Sequence, residues 1–205
     1  PLYGPLDAQS TFNMQWINPQ YDEYFDICEG VSAVYRNAGH ILGAAFIEIS
    51  YMEDSKSHTI VFSGDIGNSN NIVLSNLQKC KKADTLYVET TYGDRNHKTF
   101  NETIIEFKEV VIKTLKANGN VLIPSFAIER TQELLYILRD MYNRKELPKC
   151  KVFLDSPMAT KTTDVYSNYS ELLSDGCQQN IKENGTVVDF EALAYTETPE
   201  ASKAI

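Results

Sequence analysis

The chain has 205 residues, 42% of them hydrophobic and 11% aromatic, enough to bury the core of one domain or of two small ones. A formal net charge of −9 leaves bulk electrostatics no part in nucleic-acid binding, so any such contact must come from a local site. No apolar run approaches the ~20 residues of a membrane-spanning helix, which argues against a membrane, and Cys28, Cys80, Cys150 and Cys177 lie far apart with no Cys-x-x-Cys, as reduced and mostly packed thiols of a cytoplasmic protein.

The first half reads as strands. Asp26 to Cys28, the turn Glu29-Gly30 and Val31 to Tyr35 form one hairpin. The glycine-flanked block Asn37-Ala38-Gly39-His40-Ile41-Leu42-Gly43-Ala44-Ala45 follows. Ala44 to Tyr51 and His58 to Phe62 then make a second hairpin around the polar turn Met52 to Ser57. Ser63-Gly64-Asp65-Ile66-Gly67 comes next, its aspartate 25 positions after His40. A connecting segment runs from Gly67 to about Ala83, with room for a short helix, and Thr85 to Val88 reads as a further buried strand.

From residue 98 the rhythm becomes helix, strand, helix, strand. Glu102 to Lys116 is a helix stopped by Asn118-Gly119, and Val121-Leu122-Ile123 a short buried strand closed by Pro124. Phe126 to Tyr142 is the strongest helix, with Leu134, Leu135, Leu138 and Met141 on one stripe. Lys151 to Leu154 is the next strand, and Ser156-Pro157 caps another helix. Residues 175–190 are polar and carry no clear periodicity. The alternation argues for an α/β protein with parallel strands covered by helices.

A hairpin returns its chain to the edge where it began. His40 and Asp65 should therefore finish close together, on adjacent strands about 5 Å apart. If Thr85 to Val88 runs parallel to His58 to Phe62, Glu89 reaches the same edge. An imidazole and two carboxylates would then converge, as part of a metal site. A second candidate is Pro124-Ser125-Phe126-Ala127-Ile128-Glu129-Arg130. Here Ser125 reads as a helix N-cap, and Arg130, one turn into that helix, as a phosphate partner beside its N-terminal N–H groups. Each residue also has a plain structural reading: His40 and Asp65 as turn residues, Glu89 as an acceptor for loop N–H groups, Ser125 as a cap only, Arg130 as a surface ion-pair partner.

Five blocks taken in order resemble the β-CASP branch of the metallo-β-lactamase superfamily. They are Ala38-Gly39-His40-Ile41-Leu42-Gly43-Ala44-Ala45, Ser63-Gly64-Asp65-Ile66-Gly67, Glu89-Thr90-Thr91-Tyr92-Gly93, Pro124 to Leu135, and Asp155-Ser156-Pro157-Met158-Ala159. Pro1-Leu2-Tyr3 with Asp7-Ala8 and Pro199 to Ala204 extend the likeness over nearly the whole chain. This branch includes bacterial RNA-processing nucleases and the endonuclease subunit of the eukaryotic cleavage and polyadenylation machinery. The resemblance implies the latter part of a metallo-β-lactamase αββα half over residues 1–95, then most of a β-CASP domain over 96–205. It also implies two zinc ions in the complete protein and RNA as substrate. His40 resembles a ligand of the first zinc, Asp65 the aspartate bridging both, and Glu89 an acidic residue that supports a histidine in catalysis. From position and chemistry alone, Arg130 and the start of the helix from Phe126, with Ser125, would line the RNA-facing side. A homodimer and an RNA-processing complex are both open.

The departures from the family pattern matter equally. Its His-x-His-x-Asp-His run is absent, for His40, His58 and His97 are the only histidines. Its late histidine motifs have no counterpart here either. The expectation is an internal fragment of a zinc-dependent ribonuclease, inactive alone, holding little tight zinc and exposing part of its core face. The alternatives are a non-catalytic β-CASP scaffold, against which both His40 and Asp65 weigh, and another metallo-β-lactamase hydrolase acting on DNA or a small ester. The helical blocks after residue 98 weigh against a small substrate.

Overall fold

The computed structural model describes residues 4–14 and 16–205, so Pro1-Leu2-Tyr3 of the family likeness lie outside the described residues. After α1 (Pro5–Ser10) and a 3-10 turn, five strands form one sheet in chain order: β1 (Tyr24–Cys28), β2 (Val31–Asn37), β3 (Ala45–Glu53), β4 (Lys56–Phe62) and β5 (Thr85–Tyr87). The first four are antiparallel neighbours, and β5 returns parallel to β4 with Val61 opposite Leu86. The β3–β4 turn is tighter than the sequence suggests. Met52 pairs with Ser57 and Glu53 with Lys56, leaving only Asp54 and Ser55. Both have positive φ (48° and 62°), the mirror-image turn whose twist matches that of its strands.

Ala33, Val34, Phe46 and Val61 are buried on this sheet. The strand at Thr85 is not buried as expected, for Leu86, Tyr87 and Val88 are 54%, 58% and 50% exposed. The reason is position: among the described residues β5 is an edge strand with β4 as its one strand neighbour. The expected exposure of apolar surface is found here, with the Phe62 and Tyr87 rings stacked 4.9 Å apart.

The second half comprises α2 (Phe100–Lys116), α3 (Arg130–Asn143), β6 (Val152–Leu154), α4 (Pro157–Asn168), α5 (Asp175–Asn184), β7 (Leu193–Tyr195) and α6 (Pro199–Ser202). A reciprocal cap starts α2 earlier than its apolar periodicity implies. Thr99 Oγ1 accepts from the Glu102 N–H at 3.3 Å, and the Glu102 carboxylate accepts from the Thr99 N–H at 2.9 Å. Ser156 caps α4 as its sequence suggests, accepting from the Ala159 N–H. α5 fills the stretch that sequence left open, and β6 pairs parallel with β7, a strand its short apolar run did not announce.

Three further expectations fail. Val121-Leu122-Ile123 is irregular, with Leu122 91% exposed, because among the described residues no strand lies beside it to complete a ladder. The helix expected from Phe126 begins at Arg130, behind Glu129 at φ +66°. The segment after Gly67 holds no helix, because its backbone bonds elsewhere: Ser174 N–H donates to Val73 O at 2.8 Å and Ser75 N–H to Leu172 O at 3.0 Å. Val73 and Leu74 thereby enter the core formed by Leu135, Leu154, Tyr166 and Val187, so the stretch that continues from Asp65 is packed among the later helices. The cysteines are free, but only Cys177 is buried; Cys28 and Cys80 are exposed, contrary to the expectation of mostly packed thiols.

Candidate functional site

His40 sits in the loop between β2 and β3, and Asp65 in the loop after β4. They are therefore on loops at one end of the sheet rather than on adjacent strands, since β3 separates β2 from β4. Backbone contact brings the loops together. Gly67 N–H donates to Ala38 O at 2.9 Å, and a Cβ built on Gly67 would fall 1.6 Å from Gly39 O. Gly39, at φ +61°, is pressed against Leu77 and held by its N–H donating to Asn37 Oδ1 at 2.8 Å. Glycine at both positions is thus a packing requirement. Its outcome is His40 Nε2 facing Asp65 Oδ2 at 3.8 Å, too far for a hydrogen bond, with side chains 44% and 76% exposed.

Glu89 arrives from β5 at the same end. Its Oε1 accepts from the Ile66 N–H at 2.7 Å and its Oε2 from the Thr91 hydroxyl at 2.6 Å. These bonds, that from Thr91 foremost, hold its carboxyl below the usual range, with a smaller contribution from His40. Buried Ser63 ties the segments together: its hydroxyl donates to Gly64 O at 2.6 Å and accepts the Glu89 N–H at 3.0 Å. Sequence reasoning passed over Ser63 and Gly67, although both stand in the block around Asp65.

An imidazole nitrogen and a carboxylate oxygen are suitable zinc donors, and among the described residues the facing atoms of His40 and Asp65 make no hydrogen bond. They fit part of a zinc site. Glu89 fits the shell behind the ligands better, since each of its oxygens already holds a hydrogen bond. Among the described residues no group of three or more His, Cys, Asp and Glu is arranged to hold a metal. Zinc prefers about four donors, so the pair does not close a coordination sphere. His58 stacks on Tyr51 and His97 lies edge-on to Tyr92, and these contacts account for both.

The second candidate differs from expectation. Ser125 is not a cap, because α3 starts later. The Thr131 hydroxyl donates to Phe126 O at 2.7 Å, and the 2.7 Å bond between Ser125 Oγ and Thr131 Oγ1 must then use the Ser125 proton. Arg130 is the first residue of α3, and its guanidinium pairs with Glu133 while remaining 60% exposed. The Arg130 N–H is taken by Ile128 O. Glu129 and Glu133 flank this terminus, and burial raises both carboxyls above their ordinary range. The helix start is therefore no bare anion site, and Arg130 is the exposed cationic group that it carries. Sequence reasoning missed Glu129; its signal was an acidic residue where the helical stripe begins.

Residues 131–205 match the Beta-Casp domain. Over 206 aligned residues the chain is 35% identical to ribonuclease TTHA0252 of Thermus thermophilus, covering 100% of this chain and 46% of that protein. It is 32% identical to the transcription termination factor FttA of Pyrococcus abyssi, over 90% of this chain and 28% of that protein. With the endoribonuclease ysh1 of Schizosaccharomyces pombe it shares 28% identity over 78% of this chain and 21% of that protein. The chain thus spans less than half the length of these relatives. No described helix is long and apolar enough to cross a membrane.

Proposed function

The chain belongs to the β-CASP family, and from that premise we propose that it forms part of a zinc-dependent ribonuclease of the metallo-β-lactamase type, hydrolysing RNA phosphodiester bonds in RNA processing or decay. The carrying observation is the meeting of His40 Nε2 and Asp65 Oδ2 at 3.8 Å, at the end of the sheet where Glu89 also arrives. In this reading residues 1–95 belong to the metal-binding half and 96–205 to the β-CASP half, within which the matched segment 131–205 falls. Cytoplasmic location belongs to the same proposal.

When bound, two zinc ions would supply Lewis-acid stabilisation of charge on the attacked phosphate and a more acidic attacking water. His40 would offer an imidazole nitrogen and Asp65 a carboxylate oxygen as donors. Glu89 holds the Ile66 N–H, and so orients the loop carrying Asp65. Arg130 offers its exposed guanidinium to a backbone phosphate. The relatives named ribonuclease and endoribonuclease support RNA hydrolysis over a scaffold role.

The test uses the complete protein. Chelation should abolish cleavage of a single-stranded RNA, zinc should restore it, and His40→Ala should lose bound metal and cleavage together. Cleavage that survives both chelation and His40→Ala would sink the proposal. A metal-free protein that binds RNA without cutting it would favour the scaffold.

A further inference from the structure

Glu129, in the second site, has no part in the proposed chemistry, and it is placed at a conformational cost. It holds φ +66° and ψ −65° ahead of α3, a backbone shape in which a side chain is disfavoured. Its side chain does not cap the helix. Instead the carboxylate turns inward and accepts two hydrogen bonds, from Tyr166 OH at 2.5 Å and from Asn71 Nδ2 at 3.2 Å. Tyr166 belongs to α4 and is 1% exposed. Asn71 lies four positions after Gly67, on the stretch that leaves the Asp65 loop. Its own Oδ1 accepts from the Val73 and Leu74 N–H groups at 2.9 and 2.8 Å, which fixes the residues that enter the helical core. One carboxylate thus joins three segments: the loop 124–129 before Arg130, helix α4, and the strand-to-core stretch from Asp65.

We propose that Glu129 is a positioning residue: by bonding Asn71 and Tyr166 it sets where Arg130 and its loop stand relative to the His40–Asp65 pair. The idea rests on the ribonuclease reading for its substrate and on geometry for the latch itself. A left-handed position would be filled at lower conformational cost by glycine, so the observed glutamate is explained by what its carboxylate holds. The neighbouring charges fit this role. Arg130 is turned to Glu133, which leaves Glu129 to neutral donors. Loss of the latch should leave the metal donors intact and misplace the phosphate contact.

Glu129→Gly separates backbone from carboxylate, because glycine accepts φ +66° and carries no acceptor. In the complete protein it should raise KM for RNA by roughly tenfold, with kcat within about threefold and metal content unchanged. Amide exchange at Val73 and Leu74 should accelerate by a similar factor, and Glu129→Gln, which keeps an acceptor oxygen, should restore most of both. If Glu129→Gly does not fold, Tyr166→Phe removes one donor without touching the strained position and should show the same split, more weakly. Unchanged exchange at Val73 and Leu74, unchanged KM, or a loss confined to kcat would each overturn the proposal. A wild-type protein that cleaves no RNA would overturn the functional reading and the KM claim with it, while exchange would still report on the latch.

Discussion

Asp65 and Glu89 are both carboxylates at one sheet end, yet their surroundings assign them different work. Asp65 is 76% exposed and faces His40, whereas Glu89 has both oxygens occupied by Ile66 and Thr91. In the complete protein, Asp65→Asn should lose zinc and activity together, since it removes a charged donor. Glu89→Gln keeps the shape and one acceptor, so zinc should stay near normal while kcat falls by ~10–100-fold. Metal analysis and kcat on both variants decide this. Equal zinc loss would make Glu89 a ligand, and an unchanged kcat in both would remove the enzyme reading. Gly67 is the other decisive residue. With a Cβ 1.6 Å from Gly39 O, Gly67→Ala must push the His40 and Asp65 loops apart, costing about 3 kcal/mol in stability. Denaturant unfolding reads the cost directly. A loss under about 0.5 kcal/mol would mean the two loops are not in contact.

At the scale of elements, the start of α3 concentrates opposing charges. Glu133 is 8% exposed and, despite its pairing with Arg130, burial raises its carboxyl above the ordinary range. A carboxyl with a raised folded pKa contributes most favourably below the unfolded value of about 4.3, and its contribution worsens as pH climbs to the folded value. Glu133→Gln should therefore gain stability relative to wild type between pH 4 and pH 7. Paired denaturation curves at the two pH values check the sign, and a relative loss over that interval would contradict it. Arg130→Ala addresses binding at the same terminus. It should weaken RNA binding without releasing zinc, and flatten the salt dependence by about one phosphate contact, near 0.7 in the logarithmic slope for a single strand. An unchanged slope would leave Arg130 as the ion-pair partner of Glu133 and nothing more.

For the molecule as a whole, the two facing donors and the uncovered β5 edge set what these residues can do by themselves. If His40 and Asp65 are zinc donors as proposed, two donors without a closed shell would hold the ion weakly. The isolated chain should retain less than about one zinc after desalting and show no nuclease activity above background. Two tightly held zincs per chain, by elemental analysis, would overturn the half-site description.

Much of this was legible along the chain because it depends on neighbours in sequence. The Glu29-Gly30 turn, the His58 strand, the Asn118-Gly119 stop and the Ser156-Pro157 cap all arise from local backbone preferences, and each is in place. The spacing of His40, Asp65 and Glu89 around a hairpin and a parallel return carried their convergence as well, since strand geometry sends each to the same end of the sheet. Long-range contacts decided the rest. Whether Val121 to Ile123 forms a strand depends on a neighbour to pair with, and whether Leu86 is buried depends on what covers an edge, neither of which is encoded in three residues. The start of α3 coincides with tertiary bonds: Glu129, at φ +66° just before it, accepts through its carboxylate from Asn71 58 positions earlier and Tyr166 37 positions later. Residue pattern along the chain pointed to the groups that meet at one end of the sheet; only the folded packing decided that Glu89 is held by two hydrogen bonds while Asp65 stays exposed beside His40.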